Sequence, residues 1–496
     1  METLSLLFSG FSTALQPTNI LAMIVGAFLG LIVGALPGIG SLTGVALLLP
    51  MTYSFNPTTA IIMLCAIYYA NMYGGSYSAI MLNIPGDNSA VMTTLDGYPM
   101  AKKGLAGKAL FTSNISSFVG GTIGMIILTF FAPNLAKLGL KFGAPEMTSL
   151  LLVAMTSLGW MIGEKPLKGL VSAMLGIILA TIGSDPVNST GRFYFHIDYL
   201  LGGIQFIPLV IGVFGFSQMI TLMGERHIVH DLSSDKKLTY RNSFLTGEEF
   251  KRIMPPALRS GFLGTIVGIL PGAGGSVANF LGYVLEKRIG KNKEHMGEGV
   301  VEGVAAAEAA NNAAVAGALA PLLSLGIPGS GTTAVLLGGL IMWGLTPGPL
   351  LFVQNSDFAW GLIASMYVAN IFTLAVGLII IPGLANLARV PTRLLIPIIS
   401  VICFVGAYSS TNSLYGVITM LLAGLLGYAM NVGGYPAAPM LLAFVLAPML
   451  EENMRKAFVM SFGSPLIFMQ KPISLFFLLF LAVTLIVPAV KAIRRR

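Results

Sequence analysis

The chain has 496 residues, 55% hydrophobic and only 10% charged, with 59 Gly and two Cys. A soluble domain carries about 25% charge, so the composition excludes an ordinary soluble protein, a disordered chain and a disulfide scaffold. A mean hydropathy of +0.83 points instead to a polytopic, all-α membrane protein in a lipid bilayer. There the excess of 28 Lys+Arg over 20 Asp+Glu encodes topology rather than a nucleic-acid surface.

Met1 to Leu4 lacks the basic start of a secretory signal, so no cleaved leader is expected, and 1–20 is read as an N-terminal segment. Residues 3–86 hold no charge. About ten apolar residues precede Pro37, Gly38 and Gly40, and about nine follow Ser41 before Pro50. At 1.5 Å per residue each arm spans roughly 15 Å, half a bilayer, which predicts a re-entrant hairpin with its tip at the midplane. Ile84-Pro-Gly86 breaks the next helix and is followed by Asp87, Asn88 and Ser89. The uncharged runs 109–136, 147–163, 169–184 and 199–224 are close to the roughly 17–25 residues of a spanning helix, and complete a first repeat over 21–224. Segment 225–256, with 11 charges, is read as a cytoplasmic linker.

The second half repeats the first. Phe28 to Ser41 matches Phe262 to Gly275 at 10 of 14 positions, which sets Pro271, Gly272, Gly274 and Gly275 at a second tip. Ile327-Pro-Gly329 answers Ile84-Pro-Gly86 and leads into Ser330, Gly331, Thr332 and Thr333. A second repeat is therefore placed at 257–388, with C-terminal scaffold helices over 389–496. Segment 457–470, broken by Pro465, is read as non-spanning, and about 11 crossings result. The later helices of each half, 109–223 and 358–496, are expected to form the scaffold.

Charge orients the repeats. The first Pro-Gly segment is flanked by 3–25 and 51–60, without a basic residue, whereas its counterpart is flanked by the linker, Arg259, Lys287, Arg288, Lys291 and Lys293. Beyond the Ile-Pro-Gly breaks the pattern reverses: Lys102, Lys103 and Lys108 follow the first, and 336–356 is uncharged. The positive-inside rule then puts the N-terminus outside, the linker and Arg494 to Arg496 inside, and makes the duplication inverted. Lys137 and Lys141 fall outside in this scheme, against the rule.

Inverted repeats broken by Gly and Pro at corresponding positions mark a secondary transporter, with its site where the half-helices meet. Freed N–H groups at such ends attract carboxylate, and hydroxyls, amides and freed carbonyls hold anionic oxygens or a small cation. Glu308 lies three and four residues before Asn311 and Asn312, on one face of a small-residue helix. A carboxylate inside a membrane helix is a functional candidate by default. Glu451, Glu452, Arg455 and Lys456 are read as a solvated helix end. No HExxH, Walker or dinucleotide motif supports an enzyme or an ATP-driven pump, so no catalytic residue is assigned, and no metal beyond a transported cation at the tips. A channel or a structural membrane subunit without carrier activity remains the rival class, and rocking of the two halves the rival to an elevator-like motion.

Several blocks occur together: Leu36-Pro-Gly-Ile-Gly40, Tyr73-Gly-Gly75, Ile84-Pro-Gly86, Glu308-Ala-Ala-Asn-Asn312, Leu325-Gly-Ile-Pro-Gly-Ser330, Gly344-Leu-Thr-Pro-Gly-Pro349 and Gly434-Tyr-Pro-Ala-Ala-Pro439. On these the chain resembles, over nearly its whole length, the large membrane subunit of the tripartite tricarboxylate transporter family. A Pro often precedes the Glu of the Glu-Ala-Ala-Asn-Asn block in that family; here the residue is Ala307. The resemblance implies symport of a carboxylate delivered by a periplasmic binding protein across the bacterial inner membrane. It also implies a small membrane subunit, a Na⁺ or H⁺ gradient as driving force and no cofactor, with a homodimer left open.

Overall fold

The computed structural model describes residues 2–36, 39–161, 166–185, 188–224, 238–272, 274–384 and 392–494. Pro37, Gly38, the start of the polar segment (225–237), Arg495 and Arg496 lie outside it. Among the described residues the fold is helical apart from one short antiparallel pairing, Gly183 with Arg192 and Ser184 with Gly191.

Helix α1 (Glu2–Ala14) leads into α2 (Pro17–Ala35), where Pro17, lacking an N–H, suits the first turn. The chain then reverses into α3 (Gly40–Leu48): a Cβ on Gly44 would stand 2.8 Å from Val33 Cγ1 across the hairpin. The first arm is thus a helix of 19 residues, about 28 Å long, rather than the expected half-bilayer arm. Nothing between Pro17 and Leu36 breaks it, so the helix starts well before the matched motif.

Asn56 caps α4 (Pro57–Leu82), its side chain accepting from the Thr59 N–H at 2.9 Å. This helix is buried on every side from Thr59 to Met81. The first half continues through α5 (Thr94–Lys102), α6 (Ala106–Gly139), α7 (Ala144–Met161), α8 (Pro166–Ala180) and α9 (Phe206–Gly224), the last containing a π-helical turn at Ile211–Phe216.

A capping box between Thr246 and Glu249 opens α10 (Gly247–Ile269), so the last ten residues of the polar segment are already helical. The second hairpin closes with α11 (Gly274–Ile289). Next comes α12 (Val301–Leu325), buried throughout. Helices α13 (Gly331–Met342), α14 (Ser356–Ile380), α15 (Thr392–Thr411), α16 (Leu414–Gly433), α17 (Ala437–Met460) and α18 (Pro472–Arg494) complete the chain. The stretch between α17 and α18 holds only the short helical turn Ile467–Gln470. Among the described residues five helices are long and apolar enough to cross a membrane: α2, α6, α9, α14 with its extension to Gly383, and α16.

The packing divides the chain into two bundles. One holds α1 to α6 with α10 to α14; the other holds α7 to α9 with α15 to α18. Helix α6 packs on α10 and α12, and α14 packs on α2 and α4, so each half's later helix is wrapped into the other half's hairpin. This differs from the expected scaffold, which included both. Small residues make the crossings close: Gly120 and Gly264 lie against the backbone of Ala309 and Ala310 of α12.

Buried polar bonds stitch the two halves within the hairpin bundle. Asp96 Oδ1 accepts the N–H groups of Gly297, Gly299 and Val300 at 2.8–3.0 Å, and Oδ2 accepts from the Tyr283 hydroxyl at 2.9 Å. The Tyr73 hydroxyl donates to Asn370 Oδ1 at 2.6 Å. Between the bundles, by contrast, α3, residues 49–54 and α13 lie on α9, α15 and α17 through apolar side chains and glycines. Among the described residues no side-chain hydrogen bond or ion pair of good geometry crosses this boundary beyond the Gly143–Glu146 chain junction, and the Tyr53 hydroxyl faces Ser410 without reaching it.

Candidate functional site

The two hairpin tips and the two Ile-Pro-Gly breaks meet at one place inside the hairpin bundle. Each tip donates a backbone N–H to the glycine carbonyl of its own half's break: Gly40 to Gly86 at 3.1 Å, Gly272 to Gly329 at 2.9 Å. Gly40 and Gly274, at matching positions of the duplicated motif, have φ of +55° and +53°. A side chain is strained at that angle, which accounts for glycine at both tips. Before each break the helix ends in a left-handed residue, Asn83 in one half and Gly326 in the other.

From these points the polar groups close a ring. Asp87 Oδ2 accepts the Ser41 N–H at 2.6 Å and so caps α3, while its Oδ1 accepts the Ser89 N–H at 2.8 Å and the Ser89 hydroxyl at 2.7 Å. The Ser41 hydroxyl shares a hydrogen bond of 3.0 Å with Thr332 across the two halves. Ser330 caps α13 in a capping box with Thr333, and its hydroxyl also meets that of Tyr68 at 3.1 Å. On the remaining side Gly274 lies against Ser330, and Gly275 against Ser89 and Asn311. Ser41, Ser89, Ser330 and Thr332 are all buried.

Glu308 sits beside this ring, fully buried, on the third turn of α12. Thr93 donates to Glu308 Oε1, Ser117 donates to Oε2 at 3.5 Å, and Asn312 Nδ2 donates to Ser117 at 2.7 Å. The Asn311 amide neighbours Glu308 but makes no hydrogen bond of good geometry. The Glu308 carboxylate therefore lies in the protein interior.

Most sequence-predicted residues come together here: Gly40, Ser41, Gly86, Asp87, Ser89, Gly272, Gly274, Gly275, Gly329, Ser330, Gly331 and Thr332, with Glu308, Asn311 and Asn312 adjoining. Pro271 is half-buried at the second tip. Asn88 is exposed and stands outside the ring, and Pro37 and Gly38 lie outside the described residues. Tyr68, Thr93, Ser117 and Asn279 were missed; Asn279 accepts the Met92 N–H at 2.9 Å and donates to the Ala307 carbonyl at 3.0 Å. For Tyr68, Ser117 and Asn279 the one signal is an amide or hydroxyl placed within a helix, whereas Thr93 lies in the turn just before α5.

The reading of Glu451 and Arg455 as a solvated end needs correction. Arg455 pairs with Asp185 at 2.8 Å and Glu451 at 2.6 Å, and Arg192 joins Glu451 at 2.8 Å. Only Glu452 and Lys456 form an exposed pair. Asp185 and Arg192, from the loop region between α8 and α9, supply the partners.

The family model of the tripartite tricarboxylate transporter TctA family matches residues 20–442. The chain belongs to this family. It is 39% identical over 477 residues, 96% of this chain and 94% of the other, to "Uncharacterized 52.8 kDa protein in TAR-I ttuC' 3'region" of Agrobacterium vitis. A second relative from the same organism, "Uncharacterized protein in TAR-II ttuC' 3'region", is 39% identical over 211 residues, 42% of this chain and 87% of its own. No solved structure matches. As a TctA-family member the chain is a multi-pass membrane subunit of a tricarboxylate transporter, working with partner subunits on a substrate, and not an enzyme.

Proposed function

We propose that this TctA-family subunit is itself the carrier: a cation-coupled symporter that takes a carboxylate from a periplasmic binding protein and moves it across the inner membrane beside a small membrane subunit. The observation that carries the reading is the buried ring of hydroxyls at the meeting point of both tips and both breaks. Ser330 and Thr332, free of formal charge and next to the start of α13, suit the oxygens of the substrate. The Asp87 side suits the cation. Neither charge crosses hydrocarbon cheaply alone, so binding both lowers the cost of moving them together.

The matched glycine angles and matched breaks support an internal repeat, and the charge asymmetry supports its inversion. Elevator-like motion is favoured over rocking of the halves, because the halves are stitched through Asp96, Tyr73 and Ser41 whereas, among the described residues, the boundary between the bundles carries no such bonds. A sliding body needs that smooth boundary.

Leu47 of α3 and the native Cys403 of α15 both border Gly215 across the boundary. A Leu47→Cys protein cross-linked to Cys403 should lose uptake and regain it on reversal. Full uptake by quantitatively cross-linked protein refutes the elevator.

A further inference from the structure

We infer that Asn71 is a ligand of the co-transported cation, in a site held inside the first hairpin. The inference rests on the reading of the hairpin bundle as the carrier. Asn71 lies near the middle of α4, is fully buried, and neither Oδ1 nor Nδ2 has a hydrogen-bond partner. An unpaired buried amide costs stability, and a helix that needed only packing would carry an apolar residue there.

The hairpin makes room for this side chain with glycine. A Cβ on Gly44 of α3 would stand 3.0 Å from Asn71 Nδ2, and one on Gly34 of α2 would stand 2.9 Å from Asn71 Cα. The backbone of Asn71 thus packs on α2 while its amide faces α3, where a larger residue at 44 would displace it.

The field selects a cation. The first arm, α2, ends at Ala35, one residue beyond Gly34, and a helix C-terminus carries partial negative charge. Gly75, four residues after Asn71 and on the same face of α4, lies under Asp87: a Cβ there would be 3.2 Å from Asp87 Cβ. No Lys or Arg occurs between residues 3 and 86 to offset this. An amide oxygen is a hard ligand of the kind small hard cations take. In the second hairpin Ser330 stands where Asp87 stands in the first, so that break lacks the carboxylate.

The test is thermal unfolding of the purified subunit with sodium chloride exchanged against choline chloride at constant ionic strength. Sodium should raise the Tm of the wild type saturably, and the apparent Kd for sodium should rise at least about tenfold in Asn71→Ala. Asn71→Asp, which keeps an oxygen in place, should retain the sodium response. Asn71→Val should be more stable than wild type in choline and blind to sodium. Should Asn71→Ala fail to fold, Asn71→Ser carries the same comparison. A wild-type sodium response in the Ala and Val proteins overturns the site, as does a wild type whose Tm ignores sodium. The measurement needs no transport, so its failure is separable from failure of the carrier reading.

Discussion

Thr332→Val is the most informative perturbation of the ring. Valine matches threonine in volume, so no cavity opens, and the change removes only the hydroxyl that meets Ser41 at 3.0 Å. Ser41 is buried, and its orphaned hydroxyl should cost about 1–3 kcal/mol. Ser41→Ala alone should cost a similar amount, whereas Ser41→Ala with Thr332→Val removes both partners and should be nearly neutral by comparison. A double-mutant cycle on Tm should therefore show coupling of about 2–3 kcal/mol. Substrate uptake gives the second readout. A hydroxyl bonded to a carboxylate is worth about 1.5–3 kcal/mol, which is roughly a 10- to 100-fold rise in apparent half-saturation when it is lost. Stability of the double variant should recover while its half-saturation stays high. Initial rates in proteoliposomes across a substrate range measure this. Ser330→Ala is the weaker probe, since it also removes the cap of α13 at about 1 kcal/mol. Wild-type half-saturation in both Thr332→Val and the double variant refutes the assignment of this hydroxyl to substrate.

Further outcomes follow from the packing and the charges. Gly264→Ala would favour a helix by about 1 kcal/mol in the open, but its Cβ would lie 2.6 Å from Ala310 Cα, so the sign should reverse to a loss of about 1–3 kcal/mol, read as a lower Tm. Arg259→Ala leaves the buried Glu286 without its 2.7 Å partner; because Arg259 is itself partly exposed, the loss should be about 1–2 kcal/mol, and Glu286→Gln in the same protein should recover part of it. Cysteines replacing Phe55 and Tyr240, both exposed, should react from opposite sides of the membrane; Cys65 and Cys403, both buried, keep the background low. Labelling of both from one side would refute the inversion.

The membrane class, the paired Pro-Gly motifs and the positions of the four breaks could be read directly along the chain. Composition alone excludes a soluble fold. Proline lacks the N–H that a helix interior needs and glycine tolerates the angles that end one, so Leu36-Pro-Gly-Ile-Gly40, Ile84-Pro-Gly86 and their repeats mark breaks in any context. Helix ends were less legible: α2 runs on for 19 residues because nothing in Pro17 to Leu36 stops it. What the breaks bring together was beyond the linear pattern. The spacing of Glu308, Asn311 and Asn312 places them on one helical face, but Thr93 and Ser117 reach Glu308 from 215 and 191 residues away. The bond between Ser41 and Thr332 spans 291 residues. Helices α4 and α12 are buried on every side, so their sequences carry no polar stripe to say which face meets which neighbour. For the same reason only the packing shows that α6 and α14 join the hairpins, and that Asn71 is enclosed without a partner. Local chemistry decides where a chain must break, because the breaking groups act on their own backbone; which broken ends meet depends on packing between distant helices.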